Sequence, residues 1–241
     1  KNKAQAEWEA ALAAGDLVKA RTKAQQTSRL TPEMVAEAQM LLDALGVPWV
    51  AAPSEGEAQA AAMLEAGVVD AAVSQDFDTL LFGAPRLLRN LTVSGRRKLP
   101  GRQEWVDVTP EELTLAGALE ATQLTHEQLV DMAILMGTDF NPGIHGIGPK
   151  KGLKLLRELG SAEAALEKLG HEVDNLDELR QLFLEHPSVE FEPTWGESRR
   201  GRVMELLCDR HGFSRSRVSG ALEKFAQPAP PTGQQATLGD F

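Results

Sequence analysis

The sequence predicts an α/β protein: a largely parallel sheet followed by a mostly helical region. Three observations predict it. Short apolar runs at 47–51 and 68–74 alternate with segments of helical period up to about residue 91. After Thr109-Pro110 the strand-like runs stop and helix-patterned segments follow one another. The composition, 42% hydrophobic and 25% charged over 241 residues, is globular and sufficient for one large domain or two small ones.

Each element has a local cause. Residues 4–14, rich in Ala and Glu, read as helix; Gly15-Asp16 breaks it, and Asp16 caps a second helix from Leu17. Thr31-Pro32 starts a helix whose apolar positions Met34, Val35, Ala38, Leu41, Leu42 and Leu45 keep helical period until Gly46. The strand at 47–51 ends at Pro53, a helix runs from Ser54 through Glu65 to a stop at Gly67, and the strand at 68–74 follows. Leu80 to Phe82 and 86–91 read as further strand pieces. Residues 111–117, 125–136, 150–159, 161–169, 201–211 and 214–225 read as helices. The stretch QPAPPTG at 227–233 is a Pro-rich linker before a short tail.

Several function classes are excluded at once. No apolar run is long enough to cross a bilayer and the start has no signal-peptide character, so no membrane partner is expected. The single cysteine, Cys208, rules out an internal disulfide and fits a cytoplasmic protein. Five scattered histidines have no zinc spacing. The net charge of −10 argues against indiscriminate coating of DNA, yet the basic residues are clustered. Lys19, Arg21, Lys23 and Arg29 form one group; Arg96, Arg97, Lys98 and Arg102 another; Lys150, Lys151, Lys154 and Arg157 a third; Arg199, Arg200 and Arg202 a fourth; Arg215 and Arg217 lie near the end. Such runs are either solvated faces or a footprint for phosphates.

Three acidic groups carry the candidate chemistry: Glu55 and Glu57, Asp76 and Asp78, and Asp139. Each also has a plainer reading. Ser54 and Glu57 make a capping box, Asp76 and Asp78 are turn residues, and Asp139 begins a loop. Their placement favours a shared site, because both pairs follow strands and ligands gather beyond the carboxyl ends of parallel strands. Residues two apart diverge by roughly 200° on a helix, so Glu55 and Glu57 both face such a site only at the frayed helix start. Clustered carboxylates repel, and a hard divalent cation removes the conflict. Two such ions about 4 Å apart clamp a phosphodiester. Farther on, Gly143 to Lys151 (GIHGIGPKK) puts glycines and two lysines before a helix, either a tight turn or a grip on duplex phosphates.

In order along the chain, APSEGEAQAA, SQDFDTLLFG, RNLTVSGRRKLPG, ILMGTDFNPGIHGIGPKKGLKLL and QATLGDF closely resemble the flap endonucleases, archaeal-type 5′ nucleases of the XPG/Rad2 family. The resemblance covers essentially the whole chain. It implies a PIN-like 5′-nuclease core over 31–137, part of a helical arch over 1–30, a helical subdomain with a helix–turn–helix over 138–226, and a linker with a sliding-clamp-binding tail over 227–241. It implies that Glu55, Glu57, Asp76, Asp78 and Asp139 are catalytic metal ligands for two Mg2+ ions, which Mn2+ replaces. It places Glu55, Gly137, Asp139, Gly146, Gly148, Lys150 and Lys151 against DNA, with K+ at the hairpin, and Lys19, Arg21, Lys23 and Arg29 along a threaded 5′ strand. Gln235, Leu238 and Phe241 become the box that docks on the clamp (PCNA). The implied activity is structure-specific cleavage of 5′ flaps, with 5′–3′ exonuclease activity, in Okazaki-fragment maturation and base-excision repair. The family begins with a strand and helices holding two more metal-binding aspartates. Their absence before Lys1 reads as a fragment of a longer product, and the alternative is a non-catalytic DNA- and clamp-binding piece.

Overall fold

A computed structural model of the chain describes Asp16 and residues 30–91, 95–98 and 104–225. The expected arch helices, with Lys19, Arg21, Lys23 and Arg29, and the tail with Gln235, Leu238 and Phe241 lie outside the described residues. The described chain forms two packed units, one gathering 30–49 with 194–225 and the other 50–193.

In the first unit, α1 (Pro32–Leu45) starts as the sequence predicts. Thr31 Oγ1 accepts the Met34 N–H at 3.3 Å, and Pro32 takes the first turn. Gly46 ends it at φ 73°, and a Cβ there would lie 2.3 Å from the Gly196 carbonyl oxygen, so only glycine fits. The helix expected over 201–211 is real but divided. It runs as α9 (Arg200–Met204) and then widens into a π-helical stretch (Glu205–Arg210), before α10 (Arg215–Phe225). Ala44, Val203, Leu206, Val218 and Leu222 form this unit's core. Its arginines are largely committed within the unit. Arg199 donates to the Asp43 carbonyl, Arg202 and Arg210 bind Glu205, and Arg215 pairs with Asp209, which favours the solvated-face reading for these runs.

The second unit holds the sheet. Its elements are α2 (Gly56–Glu65), β1 (Ala72–Val73), α3 (Asp78–Leu81), β2 (Arg86–Arg89), β3 (Gly95–Lys98), β4 (Trp105–Val108), β5 (Glu111–Thr114), α4 (Leu115–Thr122), α5 (His126–Met136), α6 (Pro149–Leu159), α7 (Ala162–Leu169) and α8 (Leu176–Leu184). The α/β class holds, but the sheet among the described residues is mixed. The order is β1-β2-β5, with β1 parallel to β2 and β2 antiparallel to β5; β3 and β4 form a separate antiparallel pair.

Three expectations are corrected. The run 47–51 forms no strand among the described residues. Leu80 to Phe82 belong to the α3 turn, because Asp76 Oδ1 accepts the Asp78 N–H at 3.2 Å and bends the chain into helix. Residues 111–114 pair as β5, because Glu112 and Glu111 meet Arg86 (2.8 Å) and Arg89 (3.2 Å) across the ladder. Cross-strand charge pairing overrides the helical preference of Glu.

Helix α5 organises the second unit. Val130 and Ile134, fully buried, join Phe82, Leu81 and Phe183 on the sheet side. Leu135, also fully buried, joins Ile144, Ile147, Leu155 and Leu156 beneath the glycine hairpin. One helix therefore fixes the end of the sheet and the hairpin to each other.

Candidate active site

The acids arrive from three separate stretches of the second unit. Glu55 precedes α2 in extended conformation (φ −78°, ψ 141°), and its side chain makes no cap bond. Glu55 being outside the helix removes the divergence that two helical residues would show. The capping-box reading fails as well: Glu57 Oε1 accepts the Ser74 hydroxyl at 3.2 Å, across to the loop after β1. That same Ser74 Oγ accepts the Asp76 N–H at 3.1 Å. Thr79, fully buried, donates to the Asp76 carbonyl at 3.2 Å and anchors the loop to the core.

Asp139 is held by a four-residue loop at the end of α5. Thr138 Oγ1 donates to Asn141 Oδ1 at 2.8 Å, and the Asn141 amide donates to the Ile134 carbonyl at 2.7 Å. The loop leaves the helix through Gly137 at φ 103°.

All five acids line one small, polar pocket of about 170 Å3, together with Phe82 and Phe140. The Asp78 carboxyl is held above its ordinary pKa, first by burial and then by the charges of Asp76, Asp139, Glu57 and Glu55. The other four acids of the pocket all act on this one group. A larger groove, about 760 Å3, lies in the first unit and is lined mainly by apolar side chains, so size alone does not mark the chemistry.

The donor set is carboxylate oxygen, which suits a hard divalent cation. Among the described residues no three His, Cys, Asp or Glu side chains stand close enough together to hold a metal ion as they are. A pocket of this size leaves room for an ion that keeps part of its water shell, as Mg2+ does.

Helices α5 and α6 and the loop between them form the expected helix–turn–helix. Ile144 and Ile147 are buried, Gly146 has φ 79°, Gly148 caps α6, and Pro149 opens it. Lys150 and Lys151 are exposed at that helix start. Gly152 lets α6 close on α5: a Cβ there would sit 3.1 Å from Met132 Cγ. Gly143, at φ 67°, is the most constrained, since a Cβ would lie 2.4 Å from the Met136 carbonyl oxygen. Gly143→Ala should therefore lower stability by about 2 kcal/mol or more, measured by urea unfolding.

Sequence reasoning missed Ser74, Thr138 and Asn141, which place the acids, and the two phenylalanines of the pocket wall. Ser74 and Thr138 stand two and one positions before acidic residues, a spacing that signals local hydroxyl–backbone turns.

Comparison with known proteins bears on the family and the fold. Residues 46–139, the stretch from the end of α1 to the Asp139 loop, match the XPG I-region. Flap endonuclease 1 of Ignicoccus hospitalis is 47% identical over 251 residues, covering 100% of this chain and 70% of the relative. That of Pyrococcus furiosus is 42% identical over 240 residues, covering 99% and 70%. The solved flap endonuclease-1 from Methanococcus jannaschii superposes with a TM-score of 0.69 at 38% identity, over 88% of this chain and 62% of that one. The catalytic core of Rad2 in complex with DNA substrate shares the fold, with a TM-score of 0.63 at 19% identity, over 86% and 72%. On identity, coverage and fold together, the chain belongs to the flap endonuclease 1 family, the nucleases its sequence motifs resemble.

Proposed function

We propose that the protein is a structure-specific 5′ flap endonuclease that hydrolyses DNA phosphodiesters at single-strand/duplex junctions. The observation that carries this reading is the convergence of Glu55, Glu57, Asp76, Asp78 and Asp139 on one pocket, with Asp78 pushed toward its neutral form first by burial and then by the charges of the others. The five acids are the ligands for a pair of Mg2+ ions, or Mn2+ in their place. Once bound, such a pair supplies an activated water and charge stabilisation of the leaving oxygen. The chain's own part is to hold the five carboxylates around one pocket before any ion arrives, with Glu55, Asp76 and Asp139 open to solvent.

Duplex DNA is gripped by backbone N–H groups of the hairpin at 143–148, with Gly137 beside it, and by Lys150 and Lys151 at the start of α6. Neither lysine carries an ion pair among the described residues, so both charges are free for phosphate. A K+ ion held by hairpin carbonyls completes that grip. Lys19, Arg21, Lys23 and Arg29 steer the single strand, and Gln235, Leu238 and Phe241 dock on a sliding clamp. No helix among the described residues is long and apolar enough to cross a membrane.

A panel of 5′-labelled flap, bubble and nicked duplex DNA tests the reading. Incision is expected on the flap, near the junction, lost with EDTA and restored by Mg2+. Preference for bubble or nicked DNA would reassign the substrate, and incision surviving EDTA would remove the metal chemistry. In the same assay the double variant Lys150→Ala/Lys151→Ala should weaken flap binding uniformly across sequences. Its plot of log affinity against log salt should flatten by about two in slope.

A further inference from the structure

We infer that Ser74 is a positioning residue for the metal pocket: its single hydroxyl ties Glu57 of α2 to the Asp76 loop and sets their spacing. The inference rests on the metal-binding reading above. The geometry leaves the hydroxyl little choice. Its oxygen accepts the Asp76 N–H at 3.1 Å, so its proton is directed to Glu57 Oε1 at 3.2 Å. The bond is a hydroxyl–carboxylate contact between residues 17 apart in sequence, and it spans the gap between α2 and the end of β1.

The tie extends beyond one pair. Asp76 Oδ1 accepts the Asp78 N–H, and the Asp76 carbonyl accepts the buried Thr79 hydroxyl. Glu57, Ser74, Asp76 and Asp78 thus form one connected chain of hydrogen bonds, with Ser74 as its only bridge to α2 among the described residues. No other hydrogen bond or ion pair holds the Glu57 carboxylate among the described residues. Without the bridge, no hydrogen bond among the described residues holds Glu57 against repulsion from the neighbouring acids, and its side chain is expected to turn away. Groups that orient metal ligands in this way typically change metal affinity or activity by 10–100-fold.

The test is Ser74→Ala, with Ser74→Thr as the variant that keeps the hydroxyl. Mn2+ binding is followed by electron paramagnetic resonance in the absence of DNA, and flap incision is measured separately over a Mg2+ titration. Ser74→Ala should bind Mn2+ about tenfold or more weakly and need correspondingly more Mg2+ for half-maximal incision, while KM for DNA stays within about threefold. Ser74→Thr should recover most of the affinity. Melting in EDTA provides the control, because a purely structural serine would lower the melting temperature there and leave Mn2+ affinity unchanged. Equal Mn2+ affinity for wild type and Ser74→Ala overturns the inference while sparing the metal reading. Failure of wild type itself to bind Mn2+ at a site sensitive to Asp139→Asn overturns the metal reading instead.

Discussion

Asp139→Asn should reduce flap incision on the order of 10³-fold while leaving most of the affinity for flap DNA in place. The substitution keeps the shape of the side chain and its Thr138–Asn141 loop, whose bonds do not involve the Asp139 carboxylate. It removes one of the charges facing the pocket where Asp78 sits. Losing a preorganised charge from a hydrolytic site costs transition-state stabilisation by about this factor, and here it would also weaken the hold on the cations. Affinity behaves differently because it is expected chiefly from phosphate contacts at the hairpin and its lysines, to which a carboxylate adds no attraction even where Asp139 lies against the DNA. With one fewer negative charge near the backbone, binding should hold or improve slightly. Single-turnover incision and equilibrium binding on the same labelled flap separate the two effects. A variant that cuts within tenfold of wild type would remove Asp139 from the proposed metal ligands. The Asp78 carboxyl should also move back toward its ordinary range, because one of the four charges holding it up is gone.

The legible parts of this protein are those where local chemistry decides. Thr31-Pro32 and Gly46 bracket α1 by capping alone, and Thr125 with Gln128 does the same for α5 through a full capping box. The two acidic pairs could be proposed as one site from their placement after apolar runs, although 47–51 forms no strand among the described residues, and the motifs that include Asp139 made the family recognisable. The illegible parts are those where distant partners decide. The run Leu80 to Phe82 has no period that distinguishes a strand from a helical turn, and the Asp76 carboxylate settles it. Glu111 and Glu112 look helical until Arg86 and Arg89 are placed opposite them. Buried Gln59 is a further case: it exchanges two hydrogen bonds with the backbone of Val189, 130 residues away, a pairing no local pattern encodes. The parallel sheet expected from alternation is limited by the same cause, since β5 joins β2 antiparallel through those cross-strand pairs.

The largest loss of stability should come from Arg180→Ala. Asp131 on α5 is 1% exposed, and Arg180 on α8 meets it with two bonds, Nε to Oδ1 at 2.6 Å and Nη2 to Oδ2 at 2.9 Å. Asp131 Oδ2 also accepts the Ala162 N–H at 2.8 Å at the start of α7. The guanidinium continues to Glu163, so one arginine joins three helices. Removing it leaves a buried carboxylate without its counter-charge, which costs about 3–5 kcal/mol. Denaturant unfolding should show that loss with an unchanged slope, and the melting temperature should fall on the order of 10 °C. The outer partner should matter far less. Glu163 is 55% exposed on its side chain, so Glu163→Gln is expected to be mild at neutral pH. Its pH signature has a definite sign. The Arg180 hydrogen bond is the main cause holding Glu163 down to about 2, below its ordinary 4.5. The stabilisation is therefore complete above about pH 4.5 and is lost as pH falls toward 2. Glu163→Gln should flatten stability in that window only, whereas Arg180→Ala should lower it at neutral pH as well. An Arg180→Ala protein that melts within 2 °C of wild type would mean that the clamp across α5, α7 and α8 contributes no net stability (about 2–4 °C per kcal/mol at this size). The helix so clamped is also the one that ends at Gly137 and presents Asp139. Fraying of that clamp should thus reach the acidic pocket, as lost incision, at temperatures below the global melt.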